Sequence, residues 1–209
     1  MNFNLLLSNT PRSIIYFNSL IKKKLFPNNI ILYGNKNNNL IERKASNYKI
    51  KYNYIKCTDI NAKKLTKKIF QTKINFFIFS GYPGEIIKSE LLKLNLIHAH
   101  PGKLPNFKGS TTLYYSIILT KKITCSIIKI SKKIDDGQIL FSKTFDIPKN
   151  KKKLEDWYDY KIRAEAIIAY LKSPYKKYKK KNKSIYSNYY VAHPIIRQIV
   201  FDKNKLLSL

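Results

Sequence analysis

Short apolar runs alternate with segments of helical periodicity along much of the chain. Residues 3–7 form an apolar run, residues 13–24 carry apolar side chains at helical spacing, and residues 29–33 form a β-branched run. This order is typical of a βαβ unit. Further strands are predicted at residues 54–57, 75–80, 94–98 and 124–130, and further helices at residues 59–70, 86–92, 110–119 and 157–171. The alternation predicts an α/β fold with a doubly wound, mostly parallel sheet.

The pattern changes after Pro148. Residues 149–153 are basic, residues 175–183 mix lysine with tyrosine, and residues 189–201 return to an apolar pattern that includes His193 and Pro194. We therefore predict one main domain over residues 1–148 and a short helical, basic C-terminal appendage over residues 149–209. A length of 209 residues suits this organisation and is ample for a hydrophobic core.

The charge of the chain is strongly unbalanced. Lys and Arg number 41 and Asp and Glu number 12, which gives a net charge of +29. Such an excess attracts phosphate groups in nucleic acids, membranes or nucleotide ligands. Codon bias in an AT-rich genome is the alternative, because Lys, Asn, Ile and Tyr are all abundant and the lysines are spread along the chain. The low acid content still favours a phosphate-bearing substrate.

Several features predict a cytoplasmic protein without a membrane partner. Cys57 and Cys125 form no CxxC motif and are most simply free thiols in a reducing compartment. The N-terminus lacks the basic and apolar regions of a signal peptide. No stretch approaches the roughly 20 apolar residues that span a bilayer. The sequence leaves the oligomeric state open, a homodimer included.

Two histidines stand at the end of a predicted strand. His98 and His100 are two residues apart, so their side chains point to one face, and Pro101 then ends the strand. Ligands of open α/β sheets bind just outside the carboxyl ends of strands. An incidental surface pair or a two-histidine metal site are the alternatives. We predict no metal, because no nearby cluster of Cys or Glu completes a ligand set.

The histidines open a long motif. Residues 98–109 read His-Ala-His-Pro-Gly-Lys-Leu-Pro-Asn-Phe-Lys-Gly, and residues 134–139 read Ile-Asp-Asp-Gly-Gln-Ile. In these segments the sequence resembles the 10-formyltetrahydrofolate-dependent formyltransferase family, whose hallmark is Asn-x-His-Pro-(Ser/Gly)-x-Leu-Pro-x-(Tyr/Phe)-(Arg/Lys)-Gly followed by Asp-x-Gly. The resemblance implies a Rossmann-like catalytic domain over residues 1–148, an enzyme, and 10-formyltetrahydrofolate as the formyl donor.

The resemblance also implies catalytic roles. His100 matches the family's catalytic histidine and would handle the proton of the attacking amine. Asp135 matches the catalytic aspartate, which orients the imidazole and stabilises its charged form. By itself, Asp135-Asp136-Gly137 is typical of an ordinary turn, and only its pairing with the histidine motif gives it a role. Asp136 falls at the variable position and is the weaker candidate.

His98 departs from the family pattern, which has asparagine there. That amide donates a hydrogen bond to the formyl oxygen as charge develops. An imidazole N–H can donate to the same oxyanion, so we predict that His98 is catalytic. A degenerate or redirected enzyme, or a folate-binding protein that has lost transfer activity, are the alternatives.

The resemblance places the pterin of the folate against backbone groups of two loops. The predicted folate contacts are Gly81, Tyr82, Ile86, Ile87 and Asp135. The predicted substrate contacts are Lys108, Gly109 and Ser110, with Arg12 at a helix N-terminus where a phosphate can bind. Gly81 as a turn glycine and Lys108 as a surface lysine are the plainer alternatives.

Three kinds of acceptor amine are usual in this family: methionyl-tRNA, glycinamide ribonucleotide and amino sugars carried on nucleotides. Methionyl-tRNA enzymes usually carry a further C-terminal domain, for which the residues after Pro148 leave little room. Residues 110–116 and 189–194 resemble formyltransferase-like proteins of surface-sugar biosynthesis, which favours an amine on a nucleotide-linked sugar. Glycinamide ribonucleotide is the runner-up, although residues 8–13 lack the glycine-rich phosphate loop of that enzyme.

A nucleic-acid-binding protein is the alternative from another class. Its basis is the charge of +29 and the Lys/Tyr-rich residues 175–183, which would combine phosphate contacts with stacking. We do not favour this alternative, because a solvated, codon-biased loop accounts for the same residues.

Overall fold

Strands and helices alternate as the sequence predicts. The computed structural model describes residues 2–36, 39–88, 90–150, 154–173 and 191–202. Its strands are β1 (Asn4–Ser8), β2 (Asn29–Gly34), β3 (Lys51–Lys56), β4 (Phe76–Ser80), β5 (Asn95–His100), β6 (Ile123–Lys129) and β7 (Ile139–Phe145). Its helices are α1 (Pro11–Lys22), α2 (Asn39–Asn47), α3 (Lys63–Phe70), α4 (Thr112–Thr120), α5 (Asp159–Lys172) and α6 (Pro194–Phe201), with a 3-10 turn at Leu91–Lys93 and a π-helical turn at Leu154–Tyr158.

The first of two compact units contains residues 1–98 and 129–132. Its strands are parallel, and β1 pairs with β2 on one side and with β4 on the other. All five residues of β1 are buried. A continuous apolar run of this kind is typical of a parallel strand that is covered on both faces. β2 pairs with β3, and β4 pairs with β5 up to Ile97.

The second unit contains residues 99–128 and 133–209. Here β6 and β7 pair antiparallel, from Ile123 opposite Phe145 to Ile128 opposite Ile139. A separate apolar core joins α4, α5 and α6 through Leu113, Ile162 and Val200, which are all buried.

The strand order is β3-β2-β1-β4-β5-β6-β7. The predicted α/β fold with a mostly parallel sheet is confirmed, and the antiparallel β7 is an addition to it. The domain boundary at residue 148 stays a prediction, and most of the basic stretch, residues 151–153 and 174–190, lies outside the described residues. Among the described residues, no helix has the length and apolar character needed to cross a membrane.

The helix predicted at residues 86–92 is wrong for the residues that the structure describes. Two backbone groups of this segment are bonded to the side chain of Asn61. The Asn61 amide donates to the Ile86 carbonyl at 2.9 Å, and its oxygen accepts from Lys88 N–H at 2.8 Å. The Ile86 carbonyl, which would accept the first hydrogen bond of such a helix, is thereby engaged by a distant residue. Only Leu91–Lys93 forms a 3-10 turn.

Candidate active site

His100 ends β5 with both ring nitrogens engaged. Its side chain is 3% exposed, and Nδ1 lies 3.2 Å from Asp135 Oδ1. On the other side of the ring, Nε2 lies 2.6 Å from the carbonyl oxygen of Phe107. A carbonyl oxygen can only accept, so Nε2 carries a proton. A carboxylate facing Nδ1 requires a second proton between Nδ1 and Oδ1, because two lone pairs would repel each other. The His100–Asp135 pair is therefore arranged to hold one transferable proton.

Asp135 is fixed by its backbone as well as by its side chain. Its φ of 49° lies in the left-handed region, which aspartate tolerates better than most residues. While Oδ1 faces His100, Oδ2 accepts a hydrogen bond from Gly109 N–H at 2.9 Å. Gly109 itself has a φ of +101°, a conformation that favours glycine. The carboxylate is thus oriented toward the imidazole by the last residue of the motif.

A second contact joins the same two loops. Lys108 Nζ pairs with Asp136 Oδ1, and the two side chains are 18% and 28% exposed. Lys108 and Gly109 therefore contact Asp136 and Asp135 in turn. Asp136, the weaker catalytic candidate by sequence, lies in an ion pair with Lys108. Ser110, predicted to contact substrate, is exposed at the end of this loop.

The turn after His100 is packed without spare room. A Cβ on Gly102 would lie 2.4 Å from the Phe107 carbonyl oxygen and 2.6 Å from His100 Nε2. The Gly102 carbonyl accepts from the Ser126 hydroxyl at 2.6 Å, and Ser126 Oγ accepts from Leu104 N–H at 3.1 Å. The glycine in the motif thus permits the contact between His100 and Phe107. Sequence reasoning missed Ser126, since nothing in β6 marks it.

Thr111 connects the loop of residues 108–110 with the C-terminal segment. Its φ of 48° is unusual for a β-branched residue. The Thr111 hydroxyl oxygen accepts from Ala192 N–H at 2.7 Å, and the Ala192 carbonyl accepts from Arg197 Nε at 3.1 Å. His193 caps α6, since its Nδ1 accepts from Ile195 N–H. His193 is exposed and has a structural contact here.

His98 lies in the first unit, on β5. It is partly buried, and its ring is 6.3 Å from that of Phe79 between centroids, at an interplanar angle of 51°. His98 and His100 are two residues apart on one strand, so their side chains leave β5 on the same side. The catalytic role of His98 stays a prediction.

The loop predicted to bind folate is shaped by one carboxyl group. Glu85 Oε2 accepts from Tyr33 O–H at 2.6 Å and from Tyr82 N–H at 2.7 Å. A Cβ on Gly81 would lie 2.1 Å from that same oxygen, so a larger residue here would displace the Glu85 carboxyl group. Of the two predicted isoleucines, Ile86 is 61% exposed and Ile87 is 5% exposed within the core. Ile86 is the one that offers an apolar surface to a ligand.

Arg12 occupies the start of α1. Its Nε donates to the Ser80 hydroxyl at 3.2 Å, and its Nη2 donates to the Gly81 carbonyl. Thr10 caps the helix by accepting from Ser13 N–H. Arg12 therefore contacts the end of β4, where the predicted folate loop begins. Its predicted role toward a substrate phosphate stays a prediction.

Glu85→Gln gives a pH-dependent change in stability. Burial raises the pKa of Glu85 above its usual value, against the lowering effect of the hydrogen bond from Tyr33. Between the pKa of Glu85 in the unfolded chain and its higher pKa in the folded protein, the folded protein holds a proton that the unfolded chain has lost. The stability of the wild type therefore falls as pH rises between these two values. Glutamine is neutral at every pH and can accept from the same donors. We expect the free energy of unfolding of Glu85→Gln, relative to wild type, to increase from pH 4 to pH 7 in urea titrations.

The matched control is Glu90→Gln, because Glu90 is exposed. Its difference from wild type should show no such rise. A Glu85→Gln difference that is the same at every pH would contradict the proposed cost of ionising Glu85.

The histidine pair does not gather a metal-ligand set among the residues that the structure describes. No group of three or more His, Cys, Asp and Glu side chains is placed there to hold a metal ion. Cys57 and Cys125 are free thiols, partly buried and buried respectively.

Comparisons with known proteins point to formyl-group enzymes. No family model matches the sequence. A methionyl-tRNA formyltransferase from Campylobacter hominis is 29% identical over 85 residues, which are 40% of this chain and 28% of that enzyme. The match therefore spans little more than a quarter of the relative's length.

Solved structures of similar fold agree with this likeness. Glycinamide ribonucleotide transformylase 1 from Symbiobacterium toebii has a TM-score of 0.60 at 12% identity, covering 87% of this chain and 94% of its own. A sugar N-formyltransferase from Shewanella sp. FDAARGOS_354 has a TM-score of 0.58 at 16% identity, covering 96% and 87%. A formyltetrahydrofolate deformylase from Pseudomonas putida KT2440 has a TM-score of 0.62 at 16% identity, covering 81% and 63%. The resemblance predicted from residues 98–109 is confirmed, and at these identities it is a likeness of fold.

Proposed function

We propose that the protein is an N-formyltransferase that moves a formyl group from 10-formyltetrahydrofolate to a primary amine on a nucleotide-linked sugar. The observation that carries this proposal is the pairing of buried His100 with Asp135, which is held by Gly109 N–H. These residues stand where the formyltransferase motif has its catalytic groups. The formyl-group enzymes of similar fold support the reaction class and the donor.

The His100–Asp135 pair has the proton arrangement that the transfer needs. The folate supplies the formyl group; a C–N bond forms between the amine and the formyl carbon, and the bond from that carbon to N10 breaks. The pair donates its shared proton to N10 and takes the proton that the amine releases, so it returns to its starting state. Throughout, Nε2–H donates to the Phe107 carbonyl and keeps the ring in one orientation.

The folate contacts proposed within the first unit are those of residues 81–87. The exposed side chain of Ile86 gives an apolar surface for a ring. Gly81 and Tyr82 belong to the same loop, whose backbone is held by Arg12 and Glu85. Ile87 acts through the core, where it supports the loop. Lys108, Gly109 and Ser110 face the acceptor in this proposal, and Arg12 supports the end of β4.

A sugar-linked amine is the proposed acceptor. The likeness to a sugar N-formyltransferase extends over 96% of the chain and so into the residues after Pro148. The net charge of +29 favours an acceptor that carries phosphate. Glycinamide ribonucleotide is the second candidate, favoured by a likeness of the same quality to a transformylase of that substrate.

An acceptor panel tests the proposal. The full chain is mixed with 10-formyltetrahydrofolate and a nucleotide-linked amino sugar, glycinamide ribonucleotide or methionyl-tRNA, and formylated products are identified by mass spectrometry. Calorimetry measures folate binding separately. Product from the sugar alone supports the proposal, and Asp135→Asn is the inactive control. Absence of both transfer and folate binding, with tight salt-dependent RNA binding, would overturn it in favour of a nucleic-acid-binding protein.

His98→Ala is expected to lower kcat about 10²- to 10³-fold, the usual effect of losing one oxyanion donor. His98→Asn, which restores the amide of the family motif, should keep most of the rate. Initial rates at saturating donor and acceptor measure both. His193→Ala is the matched control, because His193 caps α6 instead. If His98→Ala leaves turnover intact while His100→Ala abolishes it, His98 has no catalytic role.

A further inference from the structure

A buried ion pair on α5 contacts the backbone of β5 next to His100. Arg163 Nε donates to both carboxylate oxygens of Asp159, at 2.8 and 3.0 Å. Arg163 Nη1 donates to the carbonyl oxygen of Ala99 at 2.7 Å. Each charged side chain is 11% exposed, so the contact is largely shielded from water.

The Ala99 carbonyl lies near the end of β5, one residue before His100. Ala99 is fully buried and lies between His98 and His100 in the chain. The register of β4 with β5 runs only to Ile97, so Ala99 lies past the last of these pairs. A buried carbonyl needs a hydrogen-bond partner, and Arg163 supplies it. The guanidinium therefore fixes the height and tilt of the peptide that leads into His100.

The Asp159–Arg163 pair is better suited to fixing the position of the Ala99 peptide than to stabilising the fold. A buried ion pair often adds nothing to stability over apolar residues of the same volume. The planar fork of arginine does fix direction, because Asp159 holds one side of the group while Nη1 reaches the carbonyl. We infer that Arg163 is a positioning residue for His100, which it aligns with Asp135 through the Ala99 carbonyl. The inference deepens the proposed function, since it rests on proton transfer at His100.

Variants of Arg163 test the inference. Arg163→Met is expected to lower kcat by about 10- to 100-fold, the size of effect that a displacement of about 1 Å produces, with KM for the formyl donor unchanged. The double variant Asp159→Leu/Arg163→Met removes both charges and should fold while showing the same loss. Arg163→Lys keeps the buried charge but not the fork, so partial activity is expected; it also serves if the apolar variants fail to fold.

A readout without turnover separates this inference from the proposed function. The ¹⁵N resonances of the His100 imidazole report its protonation and hydrogen bonds, and they should move in each Arg163 variant. Glu165→Gln is the matched control on the same helix, since Glu165 pairs with Lys143 and Lys161 at the surface and its loss should leave rate and resonances unchanged. Wild-type kcat and unmoved His100 resonances in a folded Arg163 variant would overturn the inference. If the His100 resonances move in the Arg163 variants but the wild type transfers no formyl group, the positioning role of Arg163 stands. Only the proposed function is then refuted.

Discussion

Asp135→Asn is expected to lower kcat by about 10²- to 10⁴-fold, the range for losing a positioned proton-transfer group. An asparagine oxygen can still accept from Gly109 N–H, so the loop should keep its shape. Its amide NH₂ would then face His100 Nδ1 and donate to it, which removes the shared proton. His100→Ala should reduce kcat at least as far. Rapid-quench measurement of product formation checks both.

Asp136→Asn is the matched control, one residue along the chain. It weakens the ion pair with Lys108, which is partly exposed, and pairs of that kind contribute roughly 0–1 kcal/mol. We expect at most a fewfold loss of kcat. Equal losses in the two variants would show that loop shape, and not the proton held by Asp135, sets the rate.

Gly102→Ala is expected to reduce kcat by on the order of 10²-fold and to destabilise the fold by about 1–3 kcal/mol. The added methyl group would lie 2.4 Å from the Phe107 carbonyl oxygen and 2.6 Å from His100 Nε2, distances that force one of them to move. Either movement breaks the hydrogen bond that fixes the imidazole. Steady-state kinetics with thermal unfolding measures both effects.

Ser126→Ala is the comparison for Gly102→Ala, because it loosens the same turn without crowding it. It removes the hydroxyl that bonds to Gly102 and Leu104 but adds no atoms. We expect a stability loss similar to that of Gly102→Ala with a smaller loss of kcat. A Gly102→Ala protein that turns over at the wild-type rate would show that the His100–Phe107 contact is not needed.

Local patterns predicted most elements of the first unit, because β1, β2 and β4 are continuous apolar runs. No such run marks α2, in which Ile41 and Ala45 are the buried apolar residues. β7 was missed for a related reason: only its first two residues, Ile139 and Leu140, are buried. Weakly apolar elements are defined by what they pack against, which a pattern along the chain does not contain.

The His100–Asp135 pair was predictable because the motif keeps His100 and Gly109 close in sequence and marks Asp135 by the glycine two residues later. The residues that hold this pair in place could not be predicted from the sequence. Ser126 contacts Leu104 across 22 residues, and Arg163 reaches Ala99 across 64. A serine within a strand and an arginine within a helix are ordinary residues until the fold brings them to the site.

Thr111 makes the loop of residues 108–112 structurally dependent on the segment that leads into α6. Its left-handed backbone costs about 1–3 kcal/mol, and the hydrogen bond from Ala192 N–H offsets part of that cost. A deletion that displaces Ala192 would let Thr111 relax and change the direction in which the chain enters α4. Grafting residues 108–112 into a relative would therefore carry over the loop's sequence without its support. A graft that includes residues 191–197 should keep the left-handed conformation of Thr111, whereas a graft of the loop alone should lose it.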